Sequence, residues 1–281
     1  MKNKNTLLTA ALLAGAGLIG LQSAQAAEGL QHVTASAKSD YAKTKYPILF
    51  THGMFGFTRV GFDSFGMDYF YQILPDLARN GANTFAAQVS PLESTEVRGE
   101  QLLAQVEEVR ALTGLDKVNL IGHSHGGPTV RYVAAVKPQY VASVTGVAGT
   151  FRGSLVADKI QDSKGLNSIF GVLGGQLLGP VITWAEGNST LPVNMDASLA
   201  SISEKGAAAF NQKFPTAALA SSCSSSGAAL EKGVRYYSWT GTAQTTNLLD
   251  VLDTAISQLA PLAYGNTDND GLVGRCSTHL D

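Results

Sequence analysis

The segment 122–126 reads G-H-S-H-G, the G-x-S-x-G pattern in which a serine lies on a tight turn between a strand and a helix with its hydroxyl exposed. A β-rich run at 117–121 precedes it, and the run at 128–136, which begins with Pro128, predicts a helix after it. This context indicates that Ser124 is a catalytic nucleophile. The alternative is a glycine turn whose serine only caps the helix, because the bare pattern is common in glycine-rich chains.

A serine hydroxyl becomes a good nucleophile only when a neutral imidazole takes its proton and a carboxylate fixes the tautomer of that imidazole. In hydrolases built on this turn, the order along the chain is Ser, then Asp or Glu, then His. Two histidines follow Ser124, namely His125 and His279. His125 begins the helix, so we expect its side chain to point away from the serine oxygen. Chain order therefore leaves His279 as the available base.

The carboxylate that orients the base is predicted to be Asp270, which lies in an N-D-G turn. Such a turn after a strand lets a loop aim a side chain at the site, although an ordinary turn aspartate has the same local sequence. The lesser candidates are Asp250, Asp253 and Asp268. The remaining histidines are interpreted as structural, or as lying outside the patterned region: His52, His123 and His32.

One half of an oxyanion hole is predicted in the segment T-H-G-M-F-G-F at 51–57, directly after an apolar strand at 46–50. A strand that ends in H-G-x before a glycine is where an esterase of this type carries one oxyanion donor. We expect the backbone N–H of Met54 to be that donor. The backbone N–H of His125 is expected to be the second donor.

Strands and helices are predicted to alternate around these residues. The strands lie at 46–50, 84–89, 117–121 and 141–147, and the helices at 69–80, 95–112 and 128–136. Farther along the chain we predict helices at 197–214 and 254–263 and a strand at 234–240. This alternation predicts an α/β fold in one domain, with a mostly parallel sheet that is covered by helices on both faces.

The segment 165–185 contains no charged residue and is rich in large apolar side chains. Its five glycines and its proline argue against a membrane span. Two interpretations remain, a buried pair of core helices and a mobile helical lid that covers the active site in water and opens on lipid. The glycines cost helix stability and favour the lid. We place this insertion within about residues 154–205.

Residues 1–26 predict a secretory signal peptide, with two lysines, a short apolar run and A-Q-A as the cleavage site. The mature domain would then span 27–281 and contain no transmembrane segment. Export to an oxidising compartment favours a disulfide between Cys223 and Cys276, although two unpaired buried thiols are the alternative. The net charge of −2 does not indicate the basic surface that is typical of nucleic-acid-binding proteins.

Several longer motifs carry a resemblance. They are Y-P-I-L-F-T-H-G-M-F-G-F, S-T-E-V-R-G-E-Q-L-L, K-V-N-L-I-G-H-S-H-G-G-P-T-V-R-Y-V-A-A, Y-Y-S-W and N-D-G-L-V-G-R-C-S. Together they closely resemble the secreted bacterial triacylglycerol lipases of the Pseudomonas and Burkholderia type. The resemblance runs from about residue 46 to the last residue and implies the α/β-hydrolase fold.

The resemblance implies Ser124 as nucleophile, Asp270 as the acid of the triad, and the N–H groups of Met54 and His125 as the oxyanion hole. It pairs Cys223 with Cys276 and implies a structural calcium ion with Asp250 as one carboxylate ligand. It also implies a membrane-anchored, lipase-specific foldase in the periplasm and release from the cell through a type II secretion system.

The end of the chain departs from the pattern of these lipases. Their catalytic histidine lies in an N-H-L-D-E segment roughly twenty residues beyond the acid, whereas this sequence stops at Asp281, 11 residues after Asp270. We therefore expect a C-terminally truncated lipase that lacks its base, one calcium ligand and its last helix. The alternative is that the terminal H-L-D is the same motif brought forward by a deletion, with His279 as the base and Asp281 as a calcium ligand.

These observations predict an exported serine lipase that hydrolyses triacylglycerols at a lipid–water interface through an acyl-enzyme on Ser124. Two alternatives stay open. One is a carboxylesterase that acts on short soluble esters, and the other is an inactive lipase-like protein that binds lipid or the foldase.

Overall fold

A computed structural model describes residues 29–62, 65–162, 190–246 and 251–280. The strands are β1 (Gln31–Val33), β2 (Ile48–Thr51), β3 (Arg59–Phe62), β4 (Phe65–Asp68), β5 (Thr84–Ala87), β6 (Val118–His123), β7 (Val141–Val147), β8 (Leu230–Glu231) and β9 (Val234–Trp239). The helices are α1 (Ile73–Arg79), α2 (Thr95–Thr113), α3 (Gly126–Val136), α4 (Leu155–Asp162), α5 (Met195–Ile202), α6 (Glu204–Lys213) and α7 (Val251–Tyr264). Short 3₁₀ turns lie at Pro138–Tyr140 and Arg275–Thr278.

Seven of the strands form one sheet in the order β1-β5-β2-β6-β7-β9-β8. The five central strands are parallel to one another, and β1 and β8 are antiparallel additions at the two edges. All four residues of β2 and all four of β5 are buried, which is typical of parallel strands with both faces covered. The predicted mostly parallel sheet is confirmed.

Helices pack on both faces of this sheet. On one face, Val106 of α2 and Val133 of α3 join Leu49 and Leu120 in the main buried cluster. On the other face, Leu74 of α1 packs with a smaller set from the alternate positions of the strands, Ile48, Phe50 and Ala86. The carboxyl ends of β2 and β6 therefore meet at one edge of a rigid sheet, where the loops that follow them can share a site.

Some predicted elements differ from the observed ones. The single helix predicted at 197–214 is two helices, because Ser203 between α5 and α6 is extended, with φ −67° and ψ 159°. Its hydroxyl caps α6 by accepting the N–H of Gly206. The antiparallel pair of strands β3 and β4 and the edge strand β1 were not predicted, because each of these strands is only three or four residues long.

The predicted disulfide is confirmed, with Cys223 and Cys276 joined and their Cα atoms 4.9 Å apart. Within the part of the chain that the structure describes, no helix is both long enough and apolar enough to cross a bilayer. The predicted signal peptide at 1–26 and the uncharged segment at 165–185 lie outside the described residues.

Candidate active site

Ser124 lies on the turn between β6 and α3 with a left-handed backbone, φ 53°. The turn is tight because two glycines flank it. A Cβ on Gly122 would lie 2.1 Å from the carbonyl oxygen of Gly126, and one on Gly126 would lie 2.5 Å from that of Thr51. No other residue fits at these two positions, so the G-x-S-x-G pattern here encodes a close approach of backbone to backbone.

The backbone of Ser124 is held on both sides of the turn. Its N–H donates to the carbonyl oxygen of Val147 at 2.9 Å, and its own carbonyl accepts the N–H of Gly127 at 2.8 Å. A strained backbone persists when its surroundings fix it in this way. The serine is thus presented at the carboxyl edge of the sheet, at the start of α3.

Ser124 opens into an apolar cavity of about 290 Å³. Helices α4 and α5, both within the region predicted to hold a lid, supply five apolar lining residues, Val156, Ala157, Ile160, Leu199 and Ile202. Leu272 and Val273 line another side. A cavity of this composition suits a hydrocarbon chain better than a polar ligand.

The loop after β2 lies against Ser124. A Cβ on Gly53 would be 2.9 Å from the Cβ of Ser124, and the next residue, Met54, lines the cavity. Among the described residues, no acceptor takes the backbone N–H of Met54 or that of His125. Two N–H groups without a described acceptor, next to Ser124, fit the predicted oxyanion hole.

A buried guanidinium holds this loop, and sequence reasoning missed it. Arg98 of α2 is fully buried and donates to the carbonyl oxygens of His52, at 2.6 Å, and Ser90. Its Nε also donates to Thr129 Oγ1 of α3 at 3.3 Å. Burial lowers the pKa of Arg98 to about 9, so the group stays cationic at neutral pH. The sequence signal that could have found it is the spacing: Arg98 lies four residues before Leu102, so the two side chains share the buried face of α2.

Two of the histidines near the serine are structural. The imidazole of His125 is buried away from the cavity, with Nε2 2.9 Å from Thr95 Oγ1, as expected for a side chain that points away from the serine. His52 donates from Nδ1 to the carbonyl oxygen of Gly53 at 2.9 Å. Burial lowers the pKa of His52 to about 3 and that of His125 well below 6.5, so both are neutral in the folded protein at neutral pH.

His123 lines the cavity next to Ser124, and its Nδ1 lies 2.7 Å from Tyr69 Oη, within hydrogen-bond distance. Burial lowers the pKa of His123, and the negative charge of Asp270 opposes that shift. Tyr69 was not recognised from the sequence. It also lines the cavity, and its hydroxyl accepts the N–H of Gly53 at 3.2 Å.

The loop that carries Asp270 borders the same cavity. Oδ1 of Asp270 accepts the N–H groups of Leu272, at 3.0 Å, and Val273, at 2.7 Å, and these two residues line the cavity. Gly271, which lies between Asp270 and Leu272, has φ 102°, a conformation that favours glycine. The structure thus brings Asp270 to the edge of the site, and its charge acts on His123.

His279 lies elsewhere. It lines a second cavity of about 410 Å³ beside the disulfide, together with Ser224 and Arg275. The following residue, Leu280, is buried and is bound to Ser238 Oγ through its N–H at 2.9 Å. These anchors hold the segment away from the serine cavity. The structure does not bring His279 to Ser124, and its role as the base stays a prediction.

The two predicted calcium ligands, Asp250 and Asp281, lie outside the described residues. Over the ranges that the structure describes, no group of three or more His, Cys, Asp or Glu side chains could hold a metal ion. Asp268 pairs with Arg275 at 3.8 Å instead. The calcium site therefore also stays a prediction.

Comparisons with known proteins identify the family. Residues 46–244 match the family described as the alpha/beta hydrolase fold. A triacylglycerol lipase of Vibrio cholerae serotype O1 is 47% identical over 249 residues, which cover 88% of this chain and 78% of that protein. A triacylglycerol lipase of Pseudomonas fragi is 38% identical over 255 residues, which cover 86% of this chain and 84% of that protein.

A solved structure supports the fold. The Bacillus licheniformis lipase BlEst2 in its mature form superposes with a TM-score of 0.62, covering 89% of this chain and 85% of that chain. At 18% sequence identity this likeness concerns the fold alone.

Proposed function

The chain belongs to the α/β-hydrolase family and, within it, to the triacylglycerol lipases, and from this premise we propose that it cleaves triacylglycerols through an acyl-enzyme on Ser124. Oγ of Ser124 attacks the carbonyl carbon of an ester, and the carbonyl oxygen becomes an oxyanion. The N–H groups of Met54 and His125 stabilise that oxyanion. Collapse of the intermediate expels the diacylglycerol, and water then releases the fatty acid and restores the serine.

The proton of the Ser124 hydroxyl passes to a general base and then to the departing alcohol oxygen. Asp270 is the carboxylate that holds this base in the required tautomer. Its loop is fixed by the two backbone N–H groups that its own Oδ1 accepts, and it borders the cavity that contains the serine. The remaining lone pairs of the carboxylate can accept a hydrogen bond from the base.

The observation that carries the proposal is the left-handed turn at Ser124, which opens on an apolar cavity beside two N–H groups that no described residue accepts. The turn supports a nucleophile, the N–H groups support oxyanion stabilisation, and the cavity supports an apolar acyl chain. A serine that merely capped a helix would need neither the N–H groups nor the cavity.

The test is labelling by a fluorophosphonate, which reacts with activated serines. We expect the wild-type protein to be labelled and Ser124→Ala to be unlabelled. Ser224→Ala is the matched control, because Ser224 lies in the second cavity beside the disulfide and its loss should leave labelling unchanged. Equal labelling of wild type and Ser124→Ala would overturn the nucleophile assignment.

One alternative is a carboxylesterase that prefers short acyl chains, which a serine beside an apolar cavity would also suit. Hydrolysis of a short-chain and a long-chain triacylglycerol, each measured below and above its solubility limit, separates the two. A lipase gains activity when an emulsion forms. A preference for the dissolved short ester, without that gain, supports the carboxylesterase.

The resemblance supports three further parts of the proposal. A periplasmic lipase-specific foldase assists folding, a type II system exports the enzyme, and a structural calcium ion involving Asp250 stabilises it. Refolding yield with and without a foldase of this class tests the first. Secretion from a host that has or lacks a type II system tests the second, and the melting temperature before and after chelation with EGTA tests the third.

A further inference from the structure

Tyr69 lies between the two loops that form the proposed site. It follows β4, and its ring packs among aromatic and imidazole rings from both loops, with centroid distances of 5.8 Å to His52, 5.7 Å to Phe57 and 5.8 Å to His123. The ring is therefore fixed in position by its neighbours. Its hydroxyl is the polar end of an otherwise apolar contact.

The hydroxyl joins one loop to the other. It accepts the N–H of Gly53 at 3.2 Å and lies 2.7 Å from Nδ1 of His123. Burial raises the pKa of Tyr69, so the phenol keeps its proton at neutral pH. The phenol oxygen already accepts the N–H of Gly53, and the phenol has one proton of its own to donate. That proton therefore goes to Nδ1 of His123. The hydrogen-bond network thus assigns Nδ1 of His123 as an acceptor and places its own proton on Nε2.

The two residues at the ends of this bridge are next to the reacting groups. Gly53 precedes Met54, the proposed oxyanion donor, and His123 precedes Ser124. The carbonyl of Gly53 is also held, by Nδ1 of His52 at 2.9 Å. Once both ends of Gly53 are fixed, the direction of the next N–H group is fixed with them.

We propose that Tyr69 is a positioning residue, which holds the oxyanion loop in register with the nucleophile by bridging the N–H of Gly53 and Nδ1 of His123. This inference rests on the proposed roles of Ser124 and Met54. The phenol does not touch the substrate in this assignment. It acts by keeping two loops from moving apart when charge develops on the ester oxygen.

The test compares Tyr69→Phe with Tyr71→Phe, because Tyr71 is two residues away and 66% exposed. With a soluble p-nitrophenyl ester, we expect Tyr69→Phe to lower kcat about 10- to 100-fold and to change KM less than about threefold, since only the geometry of the reaction step is lost. Tyr71→Phe should match the wild type. If both variants keep the wild-type kcat, the inference is overturned.

Variants of His123 separate the bridge from a general effect on folding. His123→Asn keeps an acceptor near the position of Nδ1 and should retain most of the activity. The kcat of His123→Ala should fall as far as that of Tyr69→Phe. The double variant Tyr69→Phe/His123→Ala should be no slower than the slower single variant, because both remove the same bridge. Losses that multiply, or an asparagine variant as slow as the alanine one, would overturn the bridge.

The same assay distinguishes failure of the inference from failure of the proposed function. An active Ser124→Ala would refute the proposed function, and the inference would fall with it. An inactive Ser124→Ala together with a fully active Tyr69→Phe would refute the inference alone.

Discussion

Replacement of Arg98 by lysine tests whether a buried guanidinium holds the loop after β2, which carries the proposed oxyanion donor Met54. Lysine keeps the positive charge but has one ammonium group in place of the planar fork that reaches the carbonyls of His52 and Ser90 and the hydroxyl of Thr129. At least one buried acceptor then loses its partner, which costs about 1–3 kcal/mol. We expect the melting temperature to fall by about 2–4 °C for each kcal/mol in a protein of this size.

The same change should slow catalysis, because His52 directly follows β2 and lies two residues before Met54. A misplacement of about 1 Å can cost about a hundredfold in rate, so we expect kcat on a soluble ester to fall at least tenfold with KM nearly unchanged. Arg79→Lys is the control, since Arg79 is 38% exposed and makes only a surface ion pair with Asp76. A stable but fully active Arg98→Lys enzyme would refute the reasoning, and a loss of stability alone would limit Arg98 to a folding role.

Four further predictions follow from the described contacts. Gly122→Ala should lower kcat at least about a hundredfold in an ester assay, because its Cβ would meet backbone at 2.1 Å, whereas Gly241→Ala, with nothing within 4 Å, should have no effect. Replacing Cys223 and Cys276 by serine should lower the free energy of unfolding in urea by about 4 kcal/mol, the chain-entropy value for a bond that spans 53 residues; an unchanged midpoint would contradict it. His279→Ala should change kcat less than about threefold, because a general base must lie within about 3 Å of the serine oxygen; a loss of several orders of magnitude would identify it as the base. Burial lowers the pKa of the buried His52 and His125 and of the half-buried His123 below 6.5, so the unfolded chain binds more protons below that pH. Stability is then complete above pH 6.5 and falls by about 1.4 kcal/mol per pH unit for each histidine as the pH drops toward its folded pKa, which a series of melting temperatures from pH 7 to pH 4 would reveal.

Local signals predicted the regular elements well. Helix α2 was predicted at 95–112 and ends at Thr113, because Ser94 caps its start and Gly114, with φ 68°, ends it. The strand β7 was predicted to the residue. In both cases the stop and start signals lie within the element or beside it.

Contacts between distant segments were not predictable in the same way. Arg98 binds a carbonyl 46 residues away, and Tyr69 binds a ring nitrogen 54 residues away. Neither pairing has a spacing or a periodicity that marks it. Chain order likewise selected His279 as the base, but order does not determine distance, and the structure places that residue in another cavity.

The bond between Cys223 and Cys276 closes part of the chain into a covalent ring. The ring contains β9, α7 and the loop of Asp270. A single cut by a protease anywhere inside it would leave the two pieces attached to each other. A nicked molecule would therefore migrate as one chain without reductant and as two fragments with it, and the loop of Asp270 could be cut in a protein that still has its full mass.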